Sequence, residues 1–442
     1  MSFINLIKKK IKYDKHLDLT EKEVKKLQRN KLNNLLKFSY KNSDFYREKF
    51  QGLGLNYGDL EEVDLKDLPT TDKNKLMNNF NQVVTDKNLR KEDIINFVDE
   101  HPDPAVVYKN KYYIIHSSGT TGEIGYYVYD QDNWELLKAV GASRLFRSFG
   151  LKRKKYAFIG ASDGHYAGIS FFLSPVNRLE ELFYRDFLVM DINYPLDSYI
   201  EKLNKLKPDV ISGYPSAMSM LLDYQEKGSL NIKPETIICG GEPLTKEAYN
   251  KIVNNWQQEP INYYGTSESI MMGAGIGRDG LYIFDDLIIL EIKEDKVLLT
   301  NLYNYTEPLI RYEMDDLIIK GSKKDKKWPF TFIENISGRE EEMLWMENET
   351  GSKDFIHPIV FAEFHVKGLK KFQIIKTSDI ALTFKAVKAD EYKKEDLKKN
   401  IEKRLYEILE KKQMKNLNIT IQFVKDIEND PQTGKFKLIK KS

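Results

Sequence analysis

From Pro195 to Gly265 the sequence alternates between two kinds of segment, with little between them. LDSYIEKLNKL has the spacing of a helix, DVISGY of a strand, and PSAMSMLLDYQEK of a helix with Pro215 in its first turn. TIICGG is again a strand, TKEAYNKIVNNW a helix and PINYYG a strand. Parallel neighbours cannot be joined by a tight turn, so strands that alternate with helices predict a parallel sheet with crossover helices. Sheets of this kind bind ligands at the carboxyl ends of their strands. Those ends read SGYPS, CGGEP and YYGTSES, all rich in small residues.

Around this core the chain changes character twice. Residues 20–95 are polar and helical in pattern, and KYYIIH then forms a strand. Beyond Tyr282 come shorter β-like runs, LIILEI, KVLLTN and LIIKG. ISGRE reads as a linker. It is followed by FQIIKT, IALTFKAV, a lysine-rich helix and NITIQFV, a small α+β unit that ends in NDPQTGKFKLIKK. The expected fold class is α/β. A large region, residues 1–336, combines a parallel sheet and crossover helices with a β-rich part. A small α+β domain, residues 337–442, follows.

Charge and composition exclude several functions. The 442 residues carry a formal net charge of +2, so nothing global points to nucleic acid. A single cysteine, Cys239, rules out a disulfide framework or cysteine metal cluster, and the six histidines have no ligand-like spacing. Without a cleavable leader or long apolar span, the expected location is the cytoplasm. Phe3, Ile4, Ile7 and Ile11 share one helical face, with Lys8, Lys9, Lys10 and Lys12 mostly opposite. That pattern suits weak attachment to a membrane surface. Packing on its own domain is the preferred reading, because stable anchoring takes a second signal.

One loop bears on chemistry. In IIHSSGTTGEIGYYVYD, six small residues, Ser117, Ser118, Gly119, Thr120, Thr121 and Gly122, stand between two strand-like runs. A Walker-type loop needs a terminal lysine and a helix directly after it. Here Glu123 follows, and GYYVYD continues as a strand. The next helix is expected from about Asp132, with Glu135 as its capping partner. The segment is thus a loop between strands that can close on a phosphate chain with amides and hydroxyls. Taken alone, it could equally be a Ser/Gly-rich turn.

Nine segments, in order, resemble the adenylate-forming enzymes, and within them the phenylacetate–coenzyme A ligases and their capsule-biosynthesis (CapK-like) relatives. They are NSDFYREKF with LPTTDKNKL, SSGTTG, SGYPS with GGEPL, NYYGTSES, PLIRYEMDDL, ISGREEEML and TGKFKLI. The resemblance implies ATP-dependent activation of a carboxylic acid as an acyl-adenylate, with release of pyrophosphate. The acyl group then passes to a thiol, with coenzyme A the first candidate. It also implies a Mg²⁺ ion and a mobile C-terminal domain joined by a hinge at 337–342.

The same resemblance assigns roles. Ser117 to Gly122 would wrap the ATP phosphates. Gly241, Glu242 and Pro243 would form one wall of the adenine slot and Tyr264 the other, with Asn262 reading the adenine amino group. Ser267 would meet the α-phosphate, and Glu268 would bind Mg²⁺. Asp316 would take the ribose hydroxyls, assisted by Arg339. Glu341 occupies the hinge. Lys435 would bridge ATP and the acid, with Lys437, Lys440 and Lys441 as its local competitors. The acid pocket would draw on His165, Tyr166, Gly168, Tyr214, Met271 and Met272, a set suited to an aromatic or medium apolar acid and equally at home in an ordinary core.

Three departures from the family pattern stand out. Glu123 replaces a frequent lysine after the loop, Glu313 replaces an arginine in RYEMDD, and three glutamates fill the hinge. Two other readings stay open: a transferase that passes the acyl group to an amine or hydroxyl, and a nucleotide-binding relative without turnover. The partners are a small carboxylic acid and an acyl acceptor. Monomer and homodimer are both compatible with the sequence.

Overall fold

The structure is a computed structural model. It describes residues 3–117, 124–146, 154–174, 186–293, 296–314, 316–322, 327–337, 344–357, 360–361, 364, 366–428 and 437–441. Contacts divide the chain into two compact units. Unit 1 is Met1–His116, Tyr126–Val189 and Lys202–Gly338; unit 2 is Ser117–Gly125, Met190–Glu201 and Arg339–Ser442. The expected 337–342 hinge overlaps residues 338–343, which lie outside the described residues.

Unit 1 begins with helices, as the polar N-terminal pattern predicts: Phe3–Lys15, Glu21–Asn42 and Asp44–Gln51 come first, and Lys91–Glu100 comes last before β1. Thr20 caps the second of these with Glu23 in a reciprocal box. A hairpin of β1 (Tyr112–His116) and β2 (Tyr126–Asp130) forms a separate two-stranded sheet. The next helix, Gln131–Arg144, is capped by Asp130, whose carboxylate accepts the Asn133 amide at 2.8 Å. The expected cap by Glu135 is therefore corrected. Glu135 is buried and receives Lys9 at 3.1 Å, which fastens the N-terminal helix to this one.

The central sheet has nine strands. β3 (Tyr156–Gly160), β5 (Val210–Gly213), β6 (Thr236–Cys239) and β7 (Ile261–Tyr264) run parallel. β4 (Phe187–Asp191) lies at the edge beside β3. Beyond β7 the sheet turns antiparallel through β8 (Gly273–Ile276), β9 (Leu281–Ile283), β14 (Phe332–Ser337) and β13 (Leu317–Lys320). Helices Pro215–Glu226 and Lys246–Trp256 are the expected crossovers. Gly213 ends β5 with φ +136°, and a Cβ there would fall 1.8 Å from the Ile159 carbonyl oxygen, so only glycine allows this approach. A three-stranded sheet of β10 (Ile288–Ile292), β11 (Val297–Asn301) and β12 (Tyr312–Met314) supplies the β-rich part.

A buried ionic cluster forms around Asp286, in the segment that follows β9. Asp286 accepts His16 Nδ1 at 2.7 Å and Arg144 Nη2 at 2.6 Å, and its carbonyl accepts Lys31 Nζ at 2.6 Å. The Arg144 guanidinium also lies over the Phe284 and Phe330 rings. Burial opposes ionisation of Asp286, but Arg144, His16 and Lys31 outweigh it and hold the carboxyl well below its usual range. Burial pulls Lys31 down to about 8 against the attraction of Asp286.

Unit 2 contains a four-stranded sheet ordered β19 (Asn418–Val424), β18 (Ala381–Lys388), β17 (Leu369–Ser378), β20 (Ile439–Lys441). Helix Lys394–Lys411 buries Leu397, Ile401, Leu405, Ile408 and Leu409. Rings of Phe364, Phe372 and Phe384 meet with centroids 5.0–5.3 Å apart. This is the expected strand–strand–helix–strand order, with β20 added. A hairpin of β15 (Leu344–Glu347) and β16 (Lys353–Ile356) precedes it and was not legible in the sequence. Glu313 faces Leu298 across β11 and β12 and receives Lys296 at 3.2 Å, so the departure at this position is absorbed by a local ion pair. Among the described residues no helix is long and apolar enough to cross a membrane.

Candidate active site

The turn after β7 carries Ser267 and Glu268. It is held against the β1–β2 hairpin by hydroxyls. Ser267 Oγ donates to the His116 carbonyl at 3.1 Å, and Tyr129 donates to the Ser267 carbonyl at 2.7 Å. Glu268 Oε1 accepts the phenols of Tyr127 at 2.9 Å and Tyr312 at 3.2 Å, and those two hydroxyls lie 2.9 Å apart. Side chains alternate along a strand, which brings Tyr127 and Tyr129 to one face of β2. Burial first, then Glu268, raises the Tyr127 phenol well above its ordinary range; burial and Tyr303 do the same for Tyr129. Both therefore remain protonated donors.

Among the described residues Glu268 has no cationic partner, and no three His, Cys, Asp or Glu groups converge into a closed metal cage. A half-buried carboxylate oriented by neutral donors is a suitable single ligand for Mg²⁺, which takes one or two carboxylates and completes its shell with phosphate and water. The residues present thus fit the ion that the family pattern implies.

Next to this turn, Tyr264 at the end of β7 donates to Asp316 Oδ2 at 2.7 Å. The expected adenine wall and the expected ribose acid are thus brought together. Burial, then Asp316, keeps the Tyr264 phenol protonated. Asn262 stands in β7 in register with Cys239 and Gly275, with its side chain partly exposed. Glu242 caps the helix that starts at Pro215, accepting the Ser216 amide at 2.6 Å, as the helix N-terminus favours. Gly241 has φ +84°, and a Cβ there would lie 2.5 Å from the Tyr214 ring, so glycine lets that ring lie over the chain just before Pro243.

The residues expected around the acid all belong to unit 1. The Tyr214 ring also borders Gly160, where a Cβ would lie 3.3 Å away, and its hydroxyl accepts the Ala161 amide at 3.3 Å. Tyr166 sets its ring edge-on to His116, with centroids 4.4 Å apart. A Cβ at Gly168 would approach Phe158 to 3.3 Å, and one at Gly141 would come within 3.2 Å of Met271. Met271 and Met272 are both fully buried. His165 is buried, with Nε2 2.6 Å from the His101 carbonyl, and burial lowers its pKa. Its own carbonyl accepts the His116 amide at 3.0 Å.

Ser117 and Gly125, which flank the expected phosphate loop, close on each other: the Ser117 amide meets the Gly125 carbonyl at 2.8 Å, and the Gly125 amide donates to Ser117 Oγ at 2.9 Å. Ser118, Gly119, Thr120, Thr121, Gly122 and Glu123 lie outside the described residues, as do Arg339, Glu341 and Lys435. Following Lys435, the Lys437 carbonyl accepts Gln373 and β20 pairs in parallel with β17, which fixes the register of the tail. Sequence reasoning missed Tyr127, Tyr129, Tyr303 and Tyr312. The alternation in YYVYD beside a hydroxyl-rich loop was a usable sign for the first two.

The AMP-binding enzyme family matches residues 59–282, just over half of the chain, and the CapK C-terminal domain matches residues 349–442. The phenylacetate-coenzyme A ligase of Escherichia coli (strain K12) is 25% identical over 361 residues, covering 73% of this chain and 72% of that protein. The indoleacetate–lysine synthetase of Pseudomonas savastanoi is 27% identical over 244 residues, covering 50% of this chain and 59% of that one. A crystal structure of 2-hydroxyisobutyryl-CoA ligase, in complex with 2-HIB-AMP and CoA in the thioesterification state, superposes with a TM-score of 0.58 at 16% identity. It covers 97% of this chain and 91% of that one, and the likeness is one of fold. Joined in one chain, these matches and the Ser267–Glu268 turn place the protein among the AMP-binding, adenylate-forming enzymes, in the branch that holds the phenylacetate–coenzyme A ligases and CapK.

Proposed function

We propose that the chain activates an aromatic or medium-sized apolar carboxylic acid as an acyl-adenylate, releasing pyrophosphate, and transfers the acyl group to the thiol of coenzyme A. The observation that carries this reading is Glu268, a carboxylate oriented by two phenols and given no cation among the described residues. Such a group is poised for a metal that arrives with a nucleotide. When bound, Mg²⁺ supplies neutralisation of phosphate charge. Tyr127 and Tyr312 orient the Glu268 carboxylate. Ser267 is the proposed contact for the α-phosphate. Tyr264 offers its ring face to adenine and Asp316 its carboxylate to the ribose. The loop of residues 117–122 is the expected phosphate clamp, and Arg339 the expected second ribose contact.

A carboxylate is a poor acyl donor because oxide is a poor leaving group; AMP is a good one. Little covalent chemistry then falls to side chains, and alignment and charge stabilisation do most of the work. Lys435 is the proposed cation between acid and α-phosphate in the first step. The segment around Glu341 is the proposed hinge that replaces Lys435 by the acceptor in the second. Pyrophosphate exchange with a panel of acids tests activation, and product analysis with and without coenzyme A tests the acceptor. Exchange with no acid would overturn the enzymatic reading. The match to an indoleacetate–lysine synthetase favours one second reading, an amine as acceptor. A product formed with an added amine and without thiol would select it.

A further inference from the structure

The β1–β2 hairpin has only two strands, so the outer side of β2 needs partners from elsewhere. Side chains of a single loop provide them. The Val128 amide donates to Glu307 Oε2 at 2.8 Å, and the Val128 carbonyl accepts Asn304 Nδ2 at 3.0 Å. Thr306 donates to Asp130 at 2.9 Å. The loop holds its own shape through asparagine side chains: Asn301 Oδ1 accepts the amides of Tyr303 and Asn304, and Asn304 Oδ1 those of Thr306 and Glu307. The same loop also holds the Ser267–Glu268 turn, since Asn301 Nδ2 donates to the Glu268 carbonyl at 3.3 Å. Residues 301–307 thus clasp β2 and the Ser267–Glu268 turn together.

Val128 stands between Tyr127 and Tyr129, the two residues whose hydroxyls hold Glu268 and Ser267. A strand that slips here takes both hydroxyls with it. Glu307 is 1% exposed, its second oxygen has no hydrogen-bond partner among the described residues, and nothing cationic offsets it there. We propose that Glu307 is a positioning residue for the metal-binding carboxylate, acting through the Val128 amide to keep the Tyr127 hydroxyl on Glu268. This rests on the metal-binding reading of Glu268 given above. Because Glu307 needs only to accept one hydrogen bond, a neutral amide of the same shape serves as well. Burial moves its pKa up to about 8, against the Val128 hydrogen bond, which lowers it, and with a lesser push upward from Glu268.

The test compares Glu307→Gln, which keeps an acceptor, with Glu307→Leu, which fills the space without one. Two readouts are taken besides activity: hydrogen exchange of the β2 amides in the ligand-free full-length protein, and the Mg²⁺ concentration that half-saturates ATP binding by calorimetry. Glu307→Leu is expected to speed exchange at Val128 by about tenfold and to raise the Mg²⁺ requirement by about threefold or more, as loss of one buried hydrogen bond allows. Glu307→Gln is expected to match the wild type in both, and adding Glu307→Leu to Tyr127→Phe should raise the Mg²⁺ requirement no further. Faster exchange with an unchanged Mg²⁺ requirement, or additive effects in the double variant, would overturn the proposal. Should Glu307→Leu not fold, Glu307→Asp, one methylene short, gives the same contrast. ATP binding indifferent to Mg²⁺ in the wild type overturns it together with the reading of Glu268. Failure of acyl activation alone, with these binding results intact, removes the proposed reaction and leaves the positioning role standing.

Discussion

Asp286 and Glu268 are both carboxylates set inside unit 1, and both accept two side-chain donors on one oxygen. Asp286 meets Arg144 and His16, with Lys31 on its carbonyl. Glu268 meets the phenols of Tyr127 and Tyr312. The first set brings positive charge, so the group is complete as folded and can be fully buried. The second set brings orientation without charge. It fixes where the carboxylate points and leaves its attraction for a cation available to whatever enters. The difference separates a carboxylate that holds a protein together from one that, on the function proposed above, receives a ligand.

The largest expected effect breaks the first member of this pair. Asp286→Asn leaves Arg144 buried without its counter-ion and should destabilise the fold by about 3–5 kcal/mol. Denaturant unfolding reads this directly, and a loss below about 1 kcal/mol would mean that the cluster is not what secures the N-terminal helices.

Lys435→Ala sharpens the comparison from the side of the incoming cation. It should lower pyrophosphate exchange on the order of 10²–10³-fold, the usual consequence of removing one group that stabilises developing charge. The unfolding midpoint and the use of a supplied acyl-adenylate should stay near wild type. A large defect in Lys437→Ala instead would shift the role by two residues.

Glu268→Gln should raise the Mg²⁺ needed for half-saturation by about tenfold, because an amide is a poorer ligand for a hard cation. Its stability should remain within about 1 kcal/mol of wild type, since no ion pair is broken. A Mg²⁺ titration that overlays the wild type, or a fall in stability like that of Asp286→Asn, would erase the distinction drawn above.

The smallest effect is one of pH. Asp286 is held below the ordinary carboxylate range, so the unfolded chain takes up its proton first on acidification. Its stabilisation is present above the unfolded pKa and is lost as pH falls below about 4 towards the lower folded value, at up to about 1.4 kcal/mol per pH unit. Asp286→Asn should remove that share of the slope. Identical acid slopes in wild type and Asp286→Asn would count against the charge pairing.

Much of the fold was legible because its signals are local. Strand and helix periods alternate between Pro195 and Gly265, and glycines such as Gly213 mark places where the backbone comes too close for a side chain. The Ser267–Glu268 turn was legible from its motif. The groups that complete it were not, because Tyr312 and Glu307 reach it from 44 and 179 residues away from Glu268 and Val128 respectively. The Asp286 cluster was hidden for the same reason, since His16 and Arg144 come from distant helices. Glu135 misled because its spacing from Asp132 fits a capping pair, while the true cap, Asp130, belongs to the end of a strand.

The clasp on Val128 also sets a schedule for synthesis. A two-stranded hairpin is marginal by itself, and an open strand edge invites pairing with another chain. The amide of Val128 is satisfied by a side chain 179 residues downstream and its carbonyl by one 176 residues downstream. At 5–20 residues per second, roughly 10–40 s separate the translation of β2 from that of the residues that close its edge. The β1–β2 hairpin is therefore among the last parts of unit 1 to become complete. During that interval it is the ribosome-bound chain, and not the finished enzyme, that has an edge to protect.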